Sequence, residues 1–230
     1  GSRIWGVFTA IMFILLVAMR RQIWVAATLY MEASKAMFST PSMLISPLIH
    51  WAFILGTFAS WLIVAVLITS TTDSEIQTNA IQGVGHVAYS DKQYYTYFLW
   101  FHIFMGLWGL TFLSACHEFV LAGCITNWYK YEGNAPNFAL FRAIWRLMRN
   151  HLGTVALGSL IIAICQFIML ILAYIERKMK EAGNDDGVAK FILKAMMCCM
   201  WCLNKCLKYI NRNAYIECNL YGYAFCNSAW

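Results

Sequence analysis

The sequence has 230 residues, of which 61% are hydrophobic, 16% aromatic and 12% charged, with mean hydropathy +0.58 and formal net charge +6. A soluble domain carries about 25% charge, so the composition excludes that class. The positive balance does not indicate nucleic acid either, because the basic residues sit between apolar runs, where Lys and Arg mark the cytoplasmic side of a membrane. The fold class expected is all-α: a polytopic transmembrane helical protein with interfacial amphipathic helices.

Residues 4–19 are uncharged and end at Arg20-Arg21, which reads as a span with its basic end inside. Residues 22–38 are again largely apolar but contain Glu32 and Lys35, three apart and so able to pair on one helical face. Pro41 and Pro47 follow, then a span at 48–68. Two readings of 22–38 stand side by side: a broken helix of the kind transporters place near their sites, or a surface helix leading into an ordinary span. Residues 69–93 are polar, carry Asp73, Glu75 and Asp91 with one Lys, and read as an outer loop.

The stretch 94–131 predicts an aromatic-rich helix, with its membrane-crossing part at 96–126. Tyr94, Tyr95, Tyr97 and Trp100 mark one end and Trp128, Tyr129 and Tyr131 the other, separated by roughly the full bilayer thickness. Between them Trp100, Phe104, Trp108 and Phe112 recur every four residues, and Gly106 and Gly109 leave room beside them. Glu118, an ionisable group at membrane depth, belongs either to a water-filled path shared with Trp108 or to an ion pair with another segment.

Residues 138–149 alternate Phe141, Ile144, Trp145 and Met148 with Arg142, Arg146 and Arg149, predicting an amphipathic helix in an interface rich in anionic lipid. Residues 153–175 carry no charge, and as a helix they rise roughly 35 Å, enough to cross the hydrocarbon. The first half of that span is small (Gly153, Thr154, Ala156, Gly158, Ser159) and made for close helix contact; the second half is bulky. Residues 176–212 hold eight Lys or Arg against four acids, again an inner-side signature. Both flanks of one span thus ask for the same side, so either 153–175 is re-entrant or one amphipathic helix lies outside. A last segment, 214–230, reads as a partial or re-entrant span, and the chain as a fragment of one transmembrane domain.

No chemical motif anchors an enzyme. The five histidines make no ligand pair, and there is no phosphate loop and no nucleophile elbow. Cys198, Cys199, Cys202 and Cys206 lie on one helical pattern, unlike the two separated pairs a zinc site needs, so no metal and no cofactor is expected. Beside a basic stripe at a membrane, these thiols are candidates for reversible acylation or for simple reduced cysteines in an apolar face.

Four stretches carry a family resemblance: His151-Leu-Gly-Thr-Val-Ala-Leu-Gly-Ser-Leu-Ile161, Asn211-Arg-Asn-Ala-Tyr-Ile216, Gly222-x-x-Phe225-Cys226-x-Ser228-Ala229, and the region from Lys35-Ala36 to Pro47. They resemble the choline transporter-like family, as does the Cys and Lys tract at 190–208. The resemblance implies a multi-pass protein of the plasma membrane, or of an organelle, that moves choline or related quaternary amines. A membrane protein organising lipid or membrane traffic is the alternative. Trp108, Ala122, Gly123, Trp128 and Tyr129 fit the family pattern, whereas Glu118 stands where an uncharged polar residue is expected. Choline cannot be deprotonated, so its site needs aromatic faces, each contact worth about 0.5–2 kcal/mol. Trp108, Trp100, Trp51 and Trp61 are the candidates for those faces, with Glu118 as a candidate carboxylate. Expected partners are a choline-like cation, the bilayer, and anionic lipids at the basic helices.

Overall fold

A backbone removed from water must satisfy its own hydrogen bonds, so the apolar runs become helices. The computed structural model describes residues 2–70, 73–78, 85–90, 93–133, 138–183 and 187–229. Helix α1 (Ser2–Ala18) meets α2 (Arg20–Ser39) at a bend of 64°. Lys35 and Glu32 pair at 2.7 Å on an exposed face of α2, where an ion pair contributes little. Pro41 opens a 3-10 turn (Pro41–Leu44), and Pro47 falls in the first turn of α3 (Ser46–Ser70), where its missing N–H has no helical partner to lose. The prolines therefore separate α2 from α3 and leave α3 itself unbroken.

The stretch expected as a plain loop contains an antiparallel hairpin, β1 (Asp73–Thr78) and β2 (Gly85–Ser90), in a register from Asp73 opposite Ser90 to Thr78 opposite Gly85. Each strand is too short and polar to form a buried helix. Ile76 facing Val87 and the neighbouring Thr and Tyr favour extended backbone. Outside this hairpin the described fold is all-α.

Helix α4 (Gln93–Lys130) runs 38 residues, roughly 57 Å, and packs against α3, α5, α6 and α7. Helix α5 (Ala139–Arg146) does not stop as a separate interfacial helix. A π-helical turn (Leu147–His151) carries it into α6 (Leu152–Glu181), giving one segment of 43 residues. No Gly or Pro lies between Ala139 and Leu152 to end it, and the π turn absorbs the change of register. Arg146 and Arg177 are about 46 Å apart along that rod, more than the hydrocarbon core, so the two basic flanks can clear it at opposite faces.

Helix α7 (Gly187–Tyr221) returns antiparallel to α6, and α8 (Phe225–Ser228) is a single turn. The expected partial span at 214–230 is thus the last two turns of α7 followed by a fold-back. Gly222, at φ +77°, ends α7 in the left-handed conformation, its N–H bonding the Cys218 carbonyl at 2.9 Å. Among the described residues four segments are long and apolar enough to cross a membrane: Pro41–Ser70, Thr96–Lys130, Ala139–Glu181 and Gly187–Tyr221. The bent α1–α2 pair passes the same test when taken together.

The core lies where α4, α5, α6 and α7 meet. Phe119, Cys124, Val155, Ala214 and Tyr215 are buried there. Large apolar side chains of α1 and α3 point outward, as a lipid-facing surface does.

Candidate functional site

The three motifs of α6, α7 and α8 converge on one another. Gly158 sits under Tyr215, where an added Cβ would meet the Tyr215 Oη, Asn211 Nδ2 and the Phe225 ring at 2.5, 3.1 and 3.2 Å. The absent side chain lets Asn211 Nδ2 donate to the Gly158 carbonyl at 2.8 Å, a bond that reaches across two helices. Thr111 Oγ1 of α4 donates more weakly to the Ser159 carbonyl at 3.4 Å. Small residues in the first half of α6 therefore do make helix contact, but selectively: Gly158 and Ser159 are buried, whereas Gly153 has open space where a side chain would lie.

Two cavities of different character flank this junction. The first, about 390 Å³, is an apolar cleft between α4 and α6 lined by Met105, Trp108, Gly109, Phe112, Leu152, Gly153 and Ala156. The Trp108 Nε1 is buried with no acceptor among the described residues. The second, about 210 Å³, lies between α4, α6 and α7, and its polar wall includes Thr111, Glu118, Gln166, Lys208, Asn211 and Tyr215. Here the Tyr215 Oη is the buried atom without a partner.

The five residues singled out from sequence are not brought together. Trp108 and Glu118 face different cavities, because ten residues along a helix turn by about 1000°, which leaves them roughly 80° apart. Glu118 Oε1 lies 4.0 Å from Arg212 Nη2 of α7, a long and largely exposed contact with a cationic neighbour. Trp100 packs edge-on against Phe167 and Tyr174 of α6, with centroids 6.1 and 5.3 Å apart, so its ring is part of the α4–α6 seam. Trp61 lies over Gly106, whose missing side chain makes room for the indole itself, and it stacks on His102 at 5.2 Å. Gly106 therefore serves helix packing, while Gly109 lines the Trp108 cleft. Trp51 is 62% exposed on the outer face of α3. Trp108 is the one of the four that lines the α4–α6 cleft, while Trp61 borders a separate cavity of about 530 Å³ between α3 and α4 with His102 and Gly106.

Sequence reading passed over Asn219. Its Nδ2 donates to the carbonyls of Phe119 (3.2 Å) and Tyr215 (2.9 Å), and its Oδ1 accepts from Arg146 at 3.4 Å. Arg146 also donates to Asn127 Oδ1 at 3.0 Å, and Lys130 donates to the Leu220 carbonyl at 2.6 Å. Asn219 thus ties α4, α5 and α7 at one end of the bundle. The signal available was an amide in the final turn of the helix, one of four asparagines in α7 and so not distinguished by its type.

The profile of a family described as plasma-membrane choline transporters matches residues 4–230. The chain belongs to that family. It is 34% identical over 226 residues to choline transporter-like protein 1 of Rattus norvegicus, an alignment covering 97% of this chain and 33% of the relative. To the protein of that name from Torpedo marmorata it is 36% identical over 214 residues, 92% of this chain and 32% of the relative. Choline transporter-like protein 2 of Dictyostelium discoideum is 32% identical over 225 residues, covering 97% and 35%. The chain spans about a third of the length of the curated relatives it matches. Family membership and the four apolar helices make this an integral membrane protein.

Proposed function

We propose that the protein transports choline or related quaternary amine cations, in the plasma membrane that the family description names, and that the Trp108 cleft forms part of the cation's path. The observation carrying this reading is the pairing of Trp108 and Phe112 with the small residues Gly153 and Ala156 across the α4–α6 seam. Small residues on one wall leave space, and the aromatic wall supplies faces for a cation that cannot lose its charge. The polar cavity suits a cation less, since Lys208 lines it and Arg212 stands beside Glu118. Exposed Phe141 and Trp145 next to exposed Arg142 and Arg149 favour anionic lipid around α5.

Labelled choline uptake into vesicles holding the full-length protein tests the reading. Saturable uptake above that of empty vesicles, displaced by a second quaternary amine, supports it. Uptake equal to empty vesicles rejects it and favours a role in lipid or membrane organisation.

A further inference from the structure

Of the nine cysteines, eight divide into two populations in this fold, and the ninth, Cys226, is exposed in α8. Cys124, Cys165 and Cys218 are buried and Cys116 partly so, and their thiols fill space between helices. Cys198, Cys199, Cys202 and Cys206 are all exposed on one helix, α7. At about 100° per residue these four fall within an arc of about 100°, centred opposite the face on which α7 buries Leu193, Asn204 and Asn211. The packing of the described chain therefore gives them no task.

The surroundings of the stripe are those of a membrane surface. Lys194, Lys205 and Lys208 lie along one edge, exposed, and the Lys205 ammonium sits 5.2 Å from the centre of the Trp201 ring. Phe191 and Tyr209, 73% and 69% exposed, continue the same face above and below the thiols. Gly187–Tyr221 is long and apolar enough to cross a membrane, but exposed lysines spread over about 21 Å of its axis from Lys194 to Lys208, beside an aromatic and thiol face, are what a helix lying along the lipid headgroups presents, and α7 is read in that orientation. Metal binding is the weaker fit, since the described residues contain no group of three His, Cys, Asp or Glu placed to hold an ion.

We infer that Cys198, Cys199, Cys202 and Cys206 form an S-acylation site that fastens the outer face of α7 to the bilayer. The donor is a long-chain acyl thioester of the coenzyme A class. A cysteine sulfur attacks the thioester carbonyl carbon, a new carbon–sulfur bond forms, the bond to the donor sulfur breaks, and the donor leaves as a thiol with the proton the cysteine gave up. No oxidant or reductant is involved. One acyl chain holds a protein to lipid only reversibly, and two or more make the anchoring stable, which gives a cluster an advantage over one cysteine.

The test uses full-length protein from cells fed an alkyne-bearing fatty acid. Trypsin cuts after Lys194 and Lys205, so residues 195–205 are released with three of the four cysteines, and unaltered protein can be read directly by mass spectrometry. The expected result is alkyl label on that peptide, removed by neutral hydroxylamine. In gels the label is lost from the variant with all four cysteines changed to Ser and retained in Cys226→Ser, another exposed thiol, in α8. Three results overturn the proposal: the peptide recovered with free, maleimide-reactive thiols; thiols unlabelled and shielded from maleimide by another part of the protein; or label that persists in the fourfold variant.

Discussion

Trp61 and His102 hold α3 to α4 by a reciprocal clasp. The indole Nε1 donates to the His102 carbonyl at 3.0 Å, the imidazole Nε2 meets the Trp61 carbonyl at 3.0 Å, and the rings lie 3° from parallel. Each carbonyl also serves its own helix, so these are second bonds that only this pairing of side chains can supply. Replacing Trp61 with Phe or His102 with Phe is expected to lower the Tm of the detergent-solubilised protein. A double-mutant cycle should return a coupling of about 0.6–1.7 kcal/mol. Additive effects would show that the two bonds do not act as one unit.

Glycine positions on α4 and α6 separate packing from open space. Gly158→Ala is expected to reduce folded yield sharply, since the new methyl would collide with Tyr215 and Asn211, whereas Gly153→Ala should be tolerated. Gly106→Ala is expected to displace Trp61, and Gly109→Ala, whose nearest neighbour is Thr57 Cγ2 at 3.9 Å, should not. Size-exclusion profiles of the four variants read this contrast.

Asn219→Leu keeps the volume but removes bonds to two carbonyls and to Arg146. A loss of about 1–3 kcal/mol is expected, visible as a lower Tm. Glu118→Gln should be close to neutral by the same measure, because its contact with Arg212 is long, at 4.0 Å, and both side chains are substantially exposed. A large loss for Glu118→Gln with a small one for Asn219→Leu would reverse the assignment.

The sequence made the membrane helices legible because long uncharged runs have one solution in lipid. Helix α4 matches the stretch between its aromatic belts, and α6 contains the small-residue half expected to make contact. Other features were not readable because they depend on partners far along the chain. Glu118 needed Arg212, ninety-four residues on (212 − 118), before its charge could be interpreted. Gly106 looked like room for a ligand until Trp61 filled it. The amphipathic pattern at 138–149 was real, yet its continuation into α6 turned on a single π turn that no periodicity announces. The hairpin at Asp73–Thr78 and Gly85–Ser90 was hidden by polarity, which favours loops and short exposed strands alike.

The central claim, a cation path at the Trp108 cleft, is tested most directly by the KM for choline in vesicles holding full-length protein with Trp108→Ala, Trp108→Phe or Trp51→Ala, compared at equal protein content. Loss of one desolvated cation–π contact of about 1.4 kcal/mol predicts a KM about tenfold higher for Trp108→Ala, a smaller rise for Trp108→Phe, and no change for the outward-facing Trp51→Ala. An unchanged KM in Trp108→Ala, or a rise confined to Trp51→Ala, would contradict the account.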